Sequence, residues 1–190
     1  MASLKTDLSK FDNSWFDTGA GRFKRTLWYY TNAWVFKKYW LPVSGIKCSL
    51  LRLFGAHVGK GVNIKPAVNI KYPWKLSVGD YSWIGEEVWI DNLDRVTIGA
   101  HCCLSQGALL LCGNHNYTSE SFDLVTLPIM LEDGVWIGAR SVVCPGVTCK
   151  SHSVLTVGSV VTKEMETYGI YRGNPAELVK MREIKAQSEN

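Results

Sequence analysis

What this 190-residue chain lacks narrows its function first. It has six cysteines, at 48, 102, 103, 112, 144 and 149, but no CxxC pair, so a zinc site is not expected. No run approaches the roughly 20 apolar residues that a membrane-spanning helix needs. Met1 to Phe11 has no apolar core, so no cleavable signal peptide is expected, and the cysteines read as buried thiols of a reduced, cytoplasmic chain. No basic stripe interleaved with stacking aromatics occurs. The net charge of +4 favours anionic ligands but is no nucleic-acid signature. Charged residues make up only 20% against 46% hydrophobic, which excludes a disordered chain, and the length suits one domain with a small appendage.

What is present is a repeat of six. An aliphatic residue leads each unit, often followed by glycine, with a small or β-branched residue in fifth place. Val58, Ile64 and Ile70 lead the first units; Val78, Ile84 and Ile90 follow, then Ile98, Leu104 and Leu110. After an interruption the register resumes at Leu131, Ile137, Val143, Cys149, Leu155 and Val161. Helices have no period of six, and recurrent glycine would cost about 1 kcal/mol each in one. The pattern predicts an all-β solenoid: a prism of short parallel strands with the aliphatic residues inside and glycine at corners where φ leaves the strand region. Three hexads make a turn, so about five coils are expected, ~24 Å long at ~4.8 Å per turn.

The flanks differ. Residues 1–56 form an N-terminal arm and helical segment, 57–167 the solenoid, and 168–190 a C-terminal turn and helix. Lys24 to Leu41, closed by Pro42, reads as a helix. Its Trp, Tyr and Lys residues suit either packing on the body or another subunit, or an interfacial position beside anionic lipid. A second short helix is expected from Ile46 to Phe54, ending at Gly55.

The interruption, 113–130, is polar and holds His115, whereas His57 precedes the first coil and His101 and His152 take turn positions in hexads. A repeat protein usually projects such an insertion from its binding face. A histidine in such a loop can act as a general base on a substrate held against the prism. Histidine suits the base at neutral pH.

The hexads resemble those of the hexapeptide-repeat acyltransferases. The linked segments Tyr72-Pro73-Trp74-Lys75-Leu76-Ser77-Val78-Gly79-Asp80, Ile90-Asp91-Asn92-Leu93, Ser105-Gln106-Gly107-Ala108 and Trp136-Ile137-Gly138-Ala139-Arg140 resemble the colanic acid biosynthesis acetyltransferases over nearly the whole chain. That resemblance implies a left-handed parallel β-helix, a C-terminal capping helix from Glu177 to about Gln187, and a homotrimer in which a sugar acceptor and acetyl-CoA meet between adjacent prisms. It implies His115 as catalytic base, at the place where galactoside, maltose and related sugar O-acetyltransferases keep theirs. Trp83, Glu86, Asp91, Asn92 and Asn114 become candidates for the acceptor. Trp83 could instead pack a subunit, and Asp91 and Asn92 could either hydrogen-bond hydroxyls or do no more than make the corner turn. Ala139, Val157, Gly158, Thr162, Lys163, Arg172 and Lys180 become candidates for the donor, with the Ala139 amide near the thioester and Lys163 near a CoA phosphate. Glu177 departs from the Lys or Arg that many relatives place there. The implied function is O-acetyl transfer to a sugar in surface polysaccharide assembly, by direct attack and without a metal. The rivals are an acyl-enzyme on Cys112, a γ-carbonic-anhydrase-like zinc enzyme, and a non-catalytic scaffold or membrane-surface adaptor.

Overall fold

The computed structural model describes residues 5–185. From Val58 onward the chain winds as a triangular prism. Face one stacks His57–Val58, Leu76–Val78, Val96–Ile98, Ile129–Leu131 and Thr148–Cys149, all parallel. Face two stacks Asn63–Ile64, Trp83–Ile84, Cys103–Leu104, Trp136–Ile137, Val154–Leu155 and Gly169–Gly173. Face three stacks Asn69–Ile70, Trp89–Asp91, Leu109–Leu111, Val142–Val143 and Val160–Val161. Five turns close on all three faces, and a sixth begins where Met165 bridges Cys149 and Gly169–Gly173 joins face two. The expected five coils are therefore slightly exceeded.

Every leading aliphatic residue from Ile64 to Val161 is buried on the prism axis. Each contributes roughly 1.5–3 kcal/mol by leaving water. The fifth-place residues line the narrow corners from inside. Where these are Ser82, Ser141 and Ser159, their hydroxyls serve the next turn, as when Ser82 Oγ donates to Gly99 O and accepts from Cys102 N. Ser153 Oγ, by contrast, is buried with no partner among the described residues. The second-place glycines have a different reason from the one expected. Gly79 and Gly138 do not lie at positive φ. A Cβ on Gly138 would sit 2.6 Å from Val157 N, and one on Gly79 2.5 Å from Ala100 N. Close stacking of turns selects them. The positive-φ corners sit at fourth place, where glycine stands as expected at Gly61, Gly107, Gly134, Gly146 and Gly158. Tyr81, His101, Arg140 and His152 show that a side chain is also accepted there.

Two helices, α1 (Arg22–Thr31) and α2 (Ser44–Leu53), close the first turn. The expected long helix is shorter, running into a π-helical turn at Asn32–Phe36 before bending at Lys37. Trp28 and Phe36 pack under the prism with Leu51 and Phe54, with Trp28–Phe36 ring centroids 5.1 Å apart.

The C-terminal capping helix is not formed. Ala176–Met181 is a strand, paired antiparallel with Gly169–Gly173. An isolated helix of some eleven residues is marginal, whereas the open edge of face two offers ready backbone partners. The last two residues of the expected helix lie outside the described chain.

Candidate active site

The insertion leaves the third corner, where face three passes to face one, as a β-hairpin: Gly113–His115 pairs antiparallel with Leu124–Thr126. His115 stacks flat on Phe122, centroids 4.4 Å apart and 8° between planes, and Phe11 of the N-terminal arm lies 5.8 Å away. Its Nδ1 is 2.9 Å from Phe122 O. A carbonyl can only accept, so Nδ1 carries a proton, and in the neutral ring Nε2 holds the lone pair. Phe122 adopts φ 54°, which turns its carbonyl back toward the ring. The arm is tied to the same hairpin by Asp7 N to Glu120 O at 2.8 Å and Lys10 Nζ to Glu120 at 2.8 Å. Sequence reasoning missed Phe11 and Phe122; backbone geometry, not residue type, gives them their place.

The other acceptor candidates are dispersed. Asn114 is exposed, but its Oδ1 accepts from His115 N, so it braces the hairpin. Asn92 is fully buried and clasps Tyr72, with Oδ1 taking its N–H and Nδ2 donating to its carbonyl. It makes the corner and is not open to a substrate. Asp91 is 8% exposed and paired with Lys71 at 3.0 Å. Trp83 is 58% exposed on face two, and Glu86 stands on the second corner, between faces two and three. Within one chain neither shares a corner with His115.

The donor candidates split similarly. Ala139, Val157 and Gly158 lie on the second corner, where Gly158 N donates to Ala139 O at 2.9 Å. The N–H groups of Ala139 and Val157 donate to no acceptor among the described residues, and a Cβ on Gly158 would meet only open space. Thr162 and Lys163 are exposed on the third corner, two turns beyond the hairpin, and Arg172 and Lys180 lie on the outer hairpin of face two. Arg172 pairs in register with Glu177.

Cys112 is fully buried, and burial pushes its thiol up to about 12. Such a thiol is not ionised at neutral pH, which removes it as an acyl carrier. Among the described residues no three His, Cys, Asp or Glu side chains form a group able to hold a metal, and no helix is long and apolar enough to cross a membrane.

Against known proteins, no family model matches the chain. WcaF of Escherichia coli K12, assigned to colanic acid biosynthesis as an acetyltransferase, is 38% identical over 178 residues, 93% of this chain and 97% of its own. The chain belongs to this family. The E. coli K12 galactoside O-acetyltransferase is 27% identical over 135 residues, 70% of this chain and 66% of its own. In solved structures, a hexapeptide-repeat acetyltransferase of Vibrio cholerae complexed with acetyl-CoA superposes with TM-score 0.77 at 22% identity, covering 87% of this chain and 92% of that one. A galactoside acetyltransferase in complex with coenzyme A gives 0.71 at 26% identity, covering 84% and 80%. The prism is the left-handed parallel β-helix of these acetyltransferases.

Proposed function

We propose that the chain moves acetyl from acetyl-CoA to a sugar hydroxyl during exopolysaccharide assembly, with His115 as general base. The observation that carries this is the Nδ1 bond to Phe122 O, which in the neutral ring leaves Nε2 unprotonated and without a partner among the described residues. A base needs that lone pair, and a backbone acceptor holds the tautomer while flanking rings hold the plane. Nε2 takes the hydroxyl proton as the sugar oxygen forms its bond to the thioester carbon. The proton then passes to the departing thiolate, so that acetyl ester and thiol are the products. The unpaired Ala139 N–H suits the oxyanion that develops between these events.

His115 and Ala139 stand on different corners of one prism. A cleft between copies, third corner against second, would unite them, and this supports a cyclic trimer. In such a cleft the free Val157 amide and open Gly158 would flank the pantetheine arm, with Thr162 and Lys163, or Arg172 and Lys180, toward the phosphates. Trp83, being exposed, is available to a sugar ring or a neighbouring subunit. The arm's exposed rings, Trp34 at 67% and Trp40 at 66% beside Tyr39, support peripheral contact of 24–41 with an anionic membrane face. Work on the cytoplasmic side, against that membrane face, belongs to the same reading.

The test is CoA release with a panel of glycans for the wild type and His115→Ala. Loss of about two to four orders of magnitude in kcat is expected. Full activity in His115→Ala would sink the assignment.

A further inference from the structure

The stretch from Thr18 to Gly79 contains none of the 17 Asp and Glu residues but eleven of the 21 Lys and Arg. The rest of the chain is therefore acidic on balance, and the positive charge collects at the N-terminal end of the prism. Between α1 with its π-helical extension and the first two strands of face three lies a cavity of about 560 Å³. That volume is in the range of small-molecule sites.

Its walls are cationic and aromatic. Arg22, Arg25 and Lys37 line it from the helical side, and Lys71 from the prism. Asp91 is the one carboxylate in the lining; its Oδ1 lies 3.0 Å from Lys71 Nζ, an ion pair whose angle is too poor to count as a hydrogen bond. Arg22, Arg25 and Lys37 make no salt bridge among the described residues. Arg25 Nε is cut off from solvent and has no hydrogen-bond partner there. A buried guanidinium nitrogen without an acceptor is costly, and three uncompensated cations round one cavity repel one another. Both are relieved by an anion with several acceptor oxygens, which guanidinium groups match in geometry. Trp89 and Tyr72 add flat rings to the same walls.

The cavity also has an address. Asp91 pairs in register with Leu111, and its carbonyl accepts from Cys112 N at 3.2 Å. Four residues of extended chain, ~14 Å at most, separate Leu111 from His115.

We propose that this cavity binds the phosphate or diphosphate of a sugar carrier, so that the glycan offered to His115 is phosphate-linked. The link to His115 rests on the acetyl-transfer reading; binding in the cavity does not. Calorimetry with inorganic pyrophosphate tests the cavity alone. Arg22→Gln and Lys37→Gln, both at exposed positions, are each expected to weaken binding at least tenfold. Lys38→Gln removes the same charge next door but outside the lining, and is expected to stay within twofold. Arg25→Gln follows, with its melting temperature checked because the residue is half-buried. His115→Ala is expected to bind pyrophosphate normally, so a failed catalytic assignment leaves this result standing.

Two further arms separate the sources. Competition by a uridine diphosphate sugar supports a soluble carrier. Recruitment to phosphatidylcholine vesicles holding a few per cent polyprenyl phosphate, above that to vesicles with the same fraction of phosphatidylglycerol, supports a lipid carrier. No pyrophosphate binding at millimolar concentration would overturn the proposal. So would Lys38→Gln losing as much as Lys37→Gln, since the effect would then be general attraction.

Discussion

At its N-terminal end the prism is capped by side chains, and at its C-terminal end by backbone. Arg52 donates from Nε to Val58 O at 2.9 Å and from Nη2 to Gly59 O at 2.8 Å, closing face one. Lys47 Nζ donates to Lys65 O at 2.8 Å beyond face two, and Trp28 Nε1 to Ile70 O at 2.9 Å on face three. Arg, Lys and Trp side chains are donor-only, so a cap that answers carbonyls with side chains becomes cationic and aromatic. At the other end Ala176–Met181 pairs directly with Gly169–Gly173, and little charge accumulates. The different chemistry of the two ends thus follows from how each edge is satisfied. It also places the cationic cavity at the N-terminal end.

The largest contrast should come from removing each cap. A chain beginning at residue 57 loses Trp28, Phe36, Leu51 and Phe54 from the core and bares three strand edges together. It is expected to be insoluble on expression. A chain ending at residue 174 loses a strand whose residues are exposed except for Ala176. It is expected to stay folded, with a melting temperature lower by no more than about 10 °C, or a few kcal/mol for a chain of this size. Circular dichroism on both would decide. A soluble, folded 57–190 fragment would refute the assignment of the main cap to the helices.

Within the N-terminal cap, Trp28→Ala should cost about 3–5 kcal/mol, as for large aromatic truncations in cores. The indole is 2% exposed, and its loss also leaves Ile70 O without its donor. Urea unfolding measures it. A cost under about 1 kcal/mol would mean the cap contributes little.

The prism was legible because its signal repeats: each turn restates the same inward aliphatic and small fifth residue, so single exceptions such as Cys149 do not hide it. His115 drew notice because it stood in the one long insertion of that repeat, and that insertion is the hairpin on the third corner. For the donor-side candidates the hexads record turn and corner but not which corner faces another copy. For Asn92 the sequence left acceptor binding and a corner turn open, because an exposed hydrogen-bonder and a backbone clasp look alike there, and the structure shows the clasp. The end of the chain failed for a tertiary reason: Glu177 to Gln187 carries helix-compatible residues, but a free strand edge beside Ala176–Met181 outweighed propensity. The cavity was invisible because Arg25 and Asp91 are far apart in sequence.

Alkaline pH sets the shaft's buried thiols against Lys47 of the N-terminal cap. The cap's own buried thiol, Cys48, is also pushed up by burial and titrates with the shaft's. Burial pushes the Cys102 thiol up to about 11 and that of Cys112 to about 12. Above the ordinary thiol pKa near 9 the unfolded chain sheds protons that the folded chain keeps. Each group's stabilisation is therefore full below pH 9 and is lost as pH rises toward 11 or 12, at about 1.4 kcal/mol per pH unit. Lys47 acts oppositely: burial lowers its pKa, so its charge opposes folding below that value and the penalty fades as pH rises toward 10.5. Denaturant midpoints at pH 8, 9 and 10 should fall for the wild type. The fall should be shallower in Cys102→Ala, after allowing for its own baseline cost. Parallel slopes would show that the buried thiols are not what titrates.

The smallest contrast matches one arginine at each end. Arg52 puts two nitrogens on two carbonyls at 2.9 and 2.8 Å, while Arg182 reaches Gly134 O and His152 O from a single nitrogen at 3.2 and 3.1 Å. Hydrogen bonds from charged donors are worth about 1.5–3 kcal/mol when shielded, and less where water competes. Arg52 is exposed, so Arg52→Gln should cost only about 1 kcal/mol. Arg182 is half-buried, but its two bonds are longer and share one nitrogen, so Arg182→Gln should cost about half that. The ranking carries the argument more than the sizes. If side chains hold the first turn and backbone holds the last, removing one donor must hurt the first more. Equal losses would mean that Arg182 is as much a cap as Arg52, and that the two ends are closed in the same way.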